Sequence, residues 1–156
     1  MKIARPTPER LMDYLELHSQ LMDYWHDVDT NWGRIAPEYY TDDALFEGPE
    51  ASYRGKEKIR QFYKWREDRG SRIAVHAVNN FRVEFESENR ATSTWYLLLY
   101  AADGQRILPT HPPITISLVT DQCVRVEDGR WLYSGRKFET WFQGGTPPTN
   151  PKLDDK

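Results

Sequence analysis

The sequence predicts an α+β fold, in which helices cover one face of a strongly curved antiparallel sheet and the curvature leaves a cavity inside. Two observations predict it. Apolar residues recur at spacings of three and four through residues 8–28, and again at Ile59, Phe62 and Tyr63, the period of helices with one buried stripe. The second half instead holds four long strand-like runs, 73–85, 91–101, 114–126 and 131–142, the last two joined by the turn Glu127-Asp128-Gly129. Helices first and strands afterwards is the order of a layered α+β domain. A chain of 156 residues has room for one domain with a real core. That domain is expected over 1–145, followed by a loose tail over 146–156 rich in Pro, Thr and Asp.

Thr7-Pro8 reads as a helix start, a capping hydroxyl followed by Pro at the first helical position. Along that helix Leu11, Leu15, His18, Met22, Trp25 and Asp29 form one stripe, with Leu21 and Val28 beside it. Asp29 thus prolongs the apolar face, whereas Asp13, Glu16, Asp23 and Asp27 read as solvated. Asn31 caps a short second helix reaching Tyr40, although Pro37 fits only a first turn. Residues 44–47 read as a short strand ended by Gly48-Pro49, with Leu45 and Glu47 on one face and Phe46 on the other. Gly55 precedes a third helix carrying Ile59, Phe62, Tyr63 and Arg66, stopped near Gly70. The link 102–113 is long and holds three prolines and His111.

Composition removes several function classes. The formal net charge is -3 and the 29% of charged residues are mixed in sign, so no basic stripe awaits nucleic acid. No apolar run has the length of a membrane span and no secretory signal is evident; a cytoplasmic protein is expected. The single Cys123 excludes an internal disulfide and a Cys-cluster metal site. His26 and Asp29 have helical spacing for a metal pair but lack further ligands. Six Trp, nine Tyr and six Phe fit either ordinary core packing or an aromatic-walled pocket.

The residues that could carry chemistry begin with His76, on the first long strand. Asn80, four positions on, shares its face if the strand is regular. A buried Asp29 beside such a histidine would make a general base: the carboxylate fixes one tautomer and stabilises the imidazolium. Arg136, alternating with Leu132, Ser134 and Phe138 on the last strand, would bind an oxyanion if it faces inward. Tyr24 and Tyr53 are expected on the cavity wall, Tyr53 as a weak acid. Glu47 is a second acid or base if it points inward. Either Trp95, Leu97 and Leu99 or Tyr96, Leu98 and Tyr100 must line the cavity.

Five pieces stand in a fixed order: Asp29 before a short helix, Tyr40-Thr-Asp-Asp-Ala-Leu-Phe46, Tyr53-Arg-Gly55, His76-x-x-x-Asn80, and Asp128-Gly-Arg-Trp131 turning into the last strand. On these the chain resembles, over residues 11–142, the SnoaL-like branch of the nuclear-transport-factor-2-like superfamily of cone-shaped α+β barrels. It is similar in character to that superfamily's lindane dehydrochlorinases and scytalone dehydratases. The resemblance implies a His76–Asp29 dyad, a substrate-contacting role for Arg136, no cofactor, and a homo-oligomer, with a trimer favoured. It also implies a cofactor-independent lyase that eliminates water, halide or formaldehyde from a small hydrophobic, aromatic molecule of the lignin-derived type. Two other readings stay open on the same fold: an isomerase, cyclase or epoxide hydrolase, and a non-catalytic assembly module like the small subunits of ring-hydroxylating dioxygenases.

Overall fold

The computed structural model describes residues 6–144; the expected tail 146–156 lies outside them. A short 3-10 turn, Pro8–Arg10, leads directly into α1, Leu11–Thr30. Thr7 begins it as expected, but through its carbonyl, which accepts from the Arg10 amide at 2.9 Å, and not through its hydroxyl.

The buried face of α1 is rotated from the expected stripe. Leu17, Leu21, Tyr24, Trp25 and Val28 are buried, whereas Leu11, Leu15 and Met22 are exposed. The bulky pair Tyr24 and Trp25 explains this: seating both rings inside turns the helix so that Leu17 and Leu21 follow them in. Asp13 and Asp27, expected in solvent, are buried and anchor the helix. Asp13 binds Arg10 at 2.9 Å, Arg125, and the Trp131 indole N–H at 3.3 Å. Asp27 accepts from the Ile35 and Ala36 amides at 2.9 and 2.8 Å and from the Asn31 side chain at 2.7 Å. It thereby caps, from a distance, the 3-10 helix Ala36–Tyr39, whose first turn holds Pro37.

Strand β1, Tyr40–Glu47, is longer than expected and pairs with β2, Ser52–Arg54, a strand the sequence pattern does not announce. Gly55, at φ +88°, turns the chain into α2, Lys56–Asp68, which buries Ile59, Phe62 and Tyr63. The four long strands follow: β3 Arg72–Ser87, β4 Arg90–Asp103, β5 Thr115–Arg125 and β6 Trp131–Gln143. They form one six-stranded sheet in the order β2-β1-β6-β5-β4-β3, antiparallel throughout except where β1 runs parallel to β6. The sheet is curved and unclosed, and the helices cover its inner face.

Of the sheet's register shifts, two reset which side chains face inward at the expected site residues. Between Asn79 and Arg82, two residues of β3 oppose one of β4, and Asn80 takes a left-handed φ of 54°. Between Tyr133 and Gly135, Ser134 is an extra residue against β5. Each bulge lets a strand present inward residues of both parities along its length.

Candidate active site

Asp29 lies in the last turn of α1, where the rotated helix brings it against β3. Its two carboxylate oxygens take two N–H groups of a single residue. Oδ1 accepts from the His76 ring Nδ1 at 2.6 Å, and Oδ2 accepts from the His76 backbone N–H at 2.9 Å. A carboxylate can only accept, so Nδ1 carries the proton and Nε2 holds the free lone pair. Nε2 has no hydrogen-bond partner among the described residues. Burial holds the His76 pKa below its ordinary value of 6.5; Asp29 opposes the shift, and the nearby Arg66 and Arg72 reinforce it. The imidazole is therefore neutral at neutral pH, the state a general base requires.

His76 is part of the wall of a cavity of ≈ 80 Å³ between the inner sheet face and the two helices. Aromatic rings from several elements enclose it: Trp25 of α1, Phe46 of β1, Phe62 and Tyr63 of α2, and Phe138 of β6. Leu97 and Leu99 line it too, which settles the face of β4, and Thr115 and Ser117 add hydroxyls from β5. Arg66, Arg69 and Arg72 line it as well, and among the described residues no carboxylate does. Among the described residues, no group of three or more His, Cys, Asp or Glu side chains is placed to hold a metal ion.

Of the expected site residues, the fold brings His76 and Asp29 together and leaves the others apart. Asn80 is exposed, because the bulge and its left-handed backbone turn it off the His76 face and place Phe81 inward, against Tyr14 and His18. Arg136 does point inward, since the Ser134 bulge puts it on the face of Trp131 and Tyr133 and not that of Leu132 and Ser134. It does not reach the cavity. Its Nε and Nη2 donate to Asp121 at 2.6 and 2.9 Å, and neither side chain is exposed. The Trp95 indole N–H donates to the same carboxylate at 2.8 Å, and Tyr133 and Tyr24 pack on the guanidinium at 4.2 and 4.4 Å. Arg136 is thus part of a closed core network.

Glu47 lies with Leu45 on the outer face, opposite Phe46, and shares a surface depression with Thr120 and Gln122. Tyr24 is fully buried behind the cavity, its hydroxyl bonded to those of Tyr40, at 2.9 Å, and Tyr63. Tyr53 stacks on Phe62, with ring centroids 4.7 Å apart, and burial pushes its phenol up to about 12. The tyrosine that does line the cavity is Tyr63, which helical spacing had marked only as core. Burial raises its phenol well above the ordinary value, so it stays a neutral hydroxyl. Arg66 is another lining residue with a polar group that sequence pattern did not single out as functional, as are Arg69, Arg72, Thr115 and Ser117. The signal for Arg66 was present as a cation among Phe62 and Tyr63 on the buried stripe of α2.

The arrangement offers one positioned base, neutral hydroxyls and a cationic rim around an aromatic hollow. No helix among the described residues is long and apolar enough to cross a membrane. No curated protein matches the chain. Solved structures do. A candidate scytalone dehydratase of Novosphingobium aromaticivorans DSM 12444 superposes with a TM-score of 0.76 at 17% identity, over 92% of this chain and 93% of its own. ActVI-ORFA of Streptomyces coelicolor gives 0.71 at 17%, over 86% and 98%. A protein of unknown function with a cystatin-like fold from Nostoc punctiforme gives 0.69 at 21%, over 83% and 92%. At these identities the likeness is one of fold. The SnoaL-like domain description matches residues 20–134, a stretch holding Asp29, His76 and every lining residue but Phe138, and on that match the chain belongs to the SnoaL-like family.

Proposed function

We propose that the protein is a cofactor-independent lyase acting on a small, largely hydrophobic and aromatic molecule. The observation that carries this reading is the His76–Asp29 pair on the cavity wall: a neutral imidazole, fixed in one tautomer by the 2.6 Å hydrogen bond to Nδ1, with its other nitrogen unbonded to any described residue. In this reading Nε2 removes a proton from carbon next to a leaving group, which departs with its bonding electrons as the double bond forms, or from a hydroxymethyl oxygen, whose carbonyl forms as the C–C bond breaks, the electron pair left on the substrate carbon then taking the proton back from the imidazolium. Asp29 stabilises the imidazolium that forms. Thr115 and Ser117 are the lining residues whose hydroxyls would meet a leaving oxygen, the Tyr63 hydroxyl being engaged by that of Tyr24. The aromatic lining matches an aryl substrate of the lignin-derived type.

An isomerase or epoxide hydrolase built on a cavity carboxylate finds less support, since none lines the cavity among the described residues and Glu47 faces away. An assembly module needs neither a partnered histidine nor a hollow. A homo-oligomer, a trimer by the family resemblance, belongs to the same reading. The exposed apolar residues Leu11, Met12 and Leu15 of α1 and Trp141 and Phe142 of β6 are compatible with it.

The test is incubation without metal or cofactor with hydroxylated, halogenated and diaryl substrates, read by mass spectrometry for wild type and His76→Ala. Loss of water, hydrogen halide or formaldehyde that disappears in the variant is the expected result. Turnover that persists in a folded His76→Ala protein would sink the dyad. A blank across the panel would favour the assembly module.

A further inference from the structure

We propose that the substrate carries an anionic oxygen group, a carboxylate or a phenolate, and that Arg66 is the residue that receives it. The proposal rests on reading the cavity beside the dyad as the substrate site, and it names the substrate class. Arg66 stands in the last turn of α2 and lines the cavity directly. Its guanidinium lies 5.8 Å from the ring centroids of both Phe62 and Tyr63, and it has no hydrogen bond or ion pair to any described residue. Arg34, Arg60, Arg125 and Arg136, by contrast, all meet carboxylates.

A guanidinium cannot shed its proton to escape burial, so a half-buried one with no hydrogen-bonded acceptor, offset only at a distance by the charge of Asp29, is better satisfied when an anion arrives. Burial accordingly pushes the Arg66 pKa down from its ordinary value. No carboxylate among the described residues makes a hydrogen bond or ion pair with this guanidinium. Both oxygens of Asp29 are taken by His76. Asp103 is engaged at the rim by Arg69, at 3.3 Å, and Arg72, at 3.0 Å.

The charge distribution points the same way. Arg66, Arg69 and Arg72 line both the cavity and an adjoining depression that Arg106 and the carboxylate-bearing Asp29 also border, on a chain whose formal net charge is -3. Such a local cationic excess draws anions toward the opening. Once inside, the planar fork of Arg66 suits two oxygens of a carboxylate or one of a phenolate. The aryl body would then lie against Phe46, Phe62 and Phe138, in the same hollow as His76.

Binding is the measurement that separates this proposal from the lyase reading, because it needs no turnover. Benzoate, 4-nitrophenolate and the neutral benzamide would be titrated calorimetrically into wild type, Arg66→Met and Arg66→Lys, at about pH 8, where an ordinary histidine is neutral. Wild type is expected to bind at least one anion about tenfold tighter than benzamide, and the anion preferred names the group. That preference should vanish in Arg66→Met and persist in part in Arg66→Lys. Equal or weaker binding of both anions relative to benzamide in wild type would overturn the proposal. So would an unchanged preference in a folded Arg66→Met protein. Should Arg66→Met fail to fold, an anion preference in Arg66→Lys equal to that of wild type, measured with added salt, would count against it. A blank substrate panel alongside an Arg66-dependent anion preference would remove the lyase and leave this inference standing.

Discussion

The indole of Trp25 lies flat on the imidazole of His76, with ring centroids 4.2 Å apart and planes within 11° of parallel. Trp25 and Asp29 are four residues apart on α1, so one helix face supplies both the stack and the hydrogen-bond partner. The ring is held across its plane by one and along its edge by the other. The same packing desolvates it.

The pH dependence follows from that desolvation. His76 has its pKa lowered below 6.5, with burial the first cause, Asp29 opposing, and Arg66 and Arg72 assisting. The acid limb of kcat/KM is therefore expected below pH 6.5. The stability this group contributes is complete above the unfolded-state value of about 6.5 and is lost as pH falls through the lower folded value. Asp29→Asn removes the opposing charge and should lower the pKa further. NMR titration of the His76 ring protons in both proteins checks the direction.

Asp29→Asn should also cost activity. An amide can accept through one atom only, so one of the two His76 N–H groups loses its acceptor and the tautomer is no longer enforced. A fall in kcat of about 10²-fold or more is expected, with little change in KM. Steady-state kinetics on whichever substrate the panel identifies provides the number.

Arg136 predicts a stability effect. Removing the arginine leaves Asp121 as an unpaired charge with no exposure, which costs about 3–5 kcal/mol. Arg136→Met should therefore be far less stable than wild type in urea. The double change Asp121→Leu with Arg136→Met should recover much of the loss. Additive losses in the double-mutant cycle would contradict the network.

Asn80 should be dispensable for turnover. Its left-handed backbone, φ 54°, suits Asn or Gly and penalises branched residues. Asn80→Gly is expected to be near neutral. Asn80→Val should cost about 1–3 kcal/mol without a specific loss of kcat, which thermal melts and kinetics together would report.

Gly33 guards the cavity from behind. A Cβ built there falls 2.3 Å from the Tyr63 ring, and its φ is +72°. Gly33→Ala must displace Tyr63 or the loop, with an expected cost of at least about 1–3 kcal/mol. A quenched or shifted binding curve for benzoate alongside a lower Tm would show the displacement reaching the cavity.

Much of the architecture was legible from periodicity. The four long strands, both helices and the Gly55 and Gly129 turns are local features, written in the spacing of apolar residues and in glycines at positive φ. The Asp29 and His76 pair was legible mainly through the family resemblance, since the apolar stripe that ran to Asp29 is not the face that α1 buries. Strand β2 escaped because three residues carry no period.

Where side chains point was a different matter. A strand's alternation holds only until a bulge, and the bulges at Asn80 and Ser134 sent Asn80 outward and gave Arg136 the parity of Tyr133. Those irregularities arise from pairing between strands, which no single segment encodes. The same applies to charge. Sequence shows Arg66 and Arg136 as equal cations, but packing gave Arg136 the carboxylate of Asp121 and left Arg66 with aromatic rings and an open cavity. Partnering of ions is a property of distances between elements, so it is settled when the helices close over the sheet.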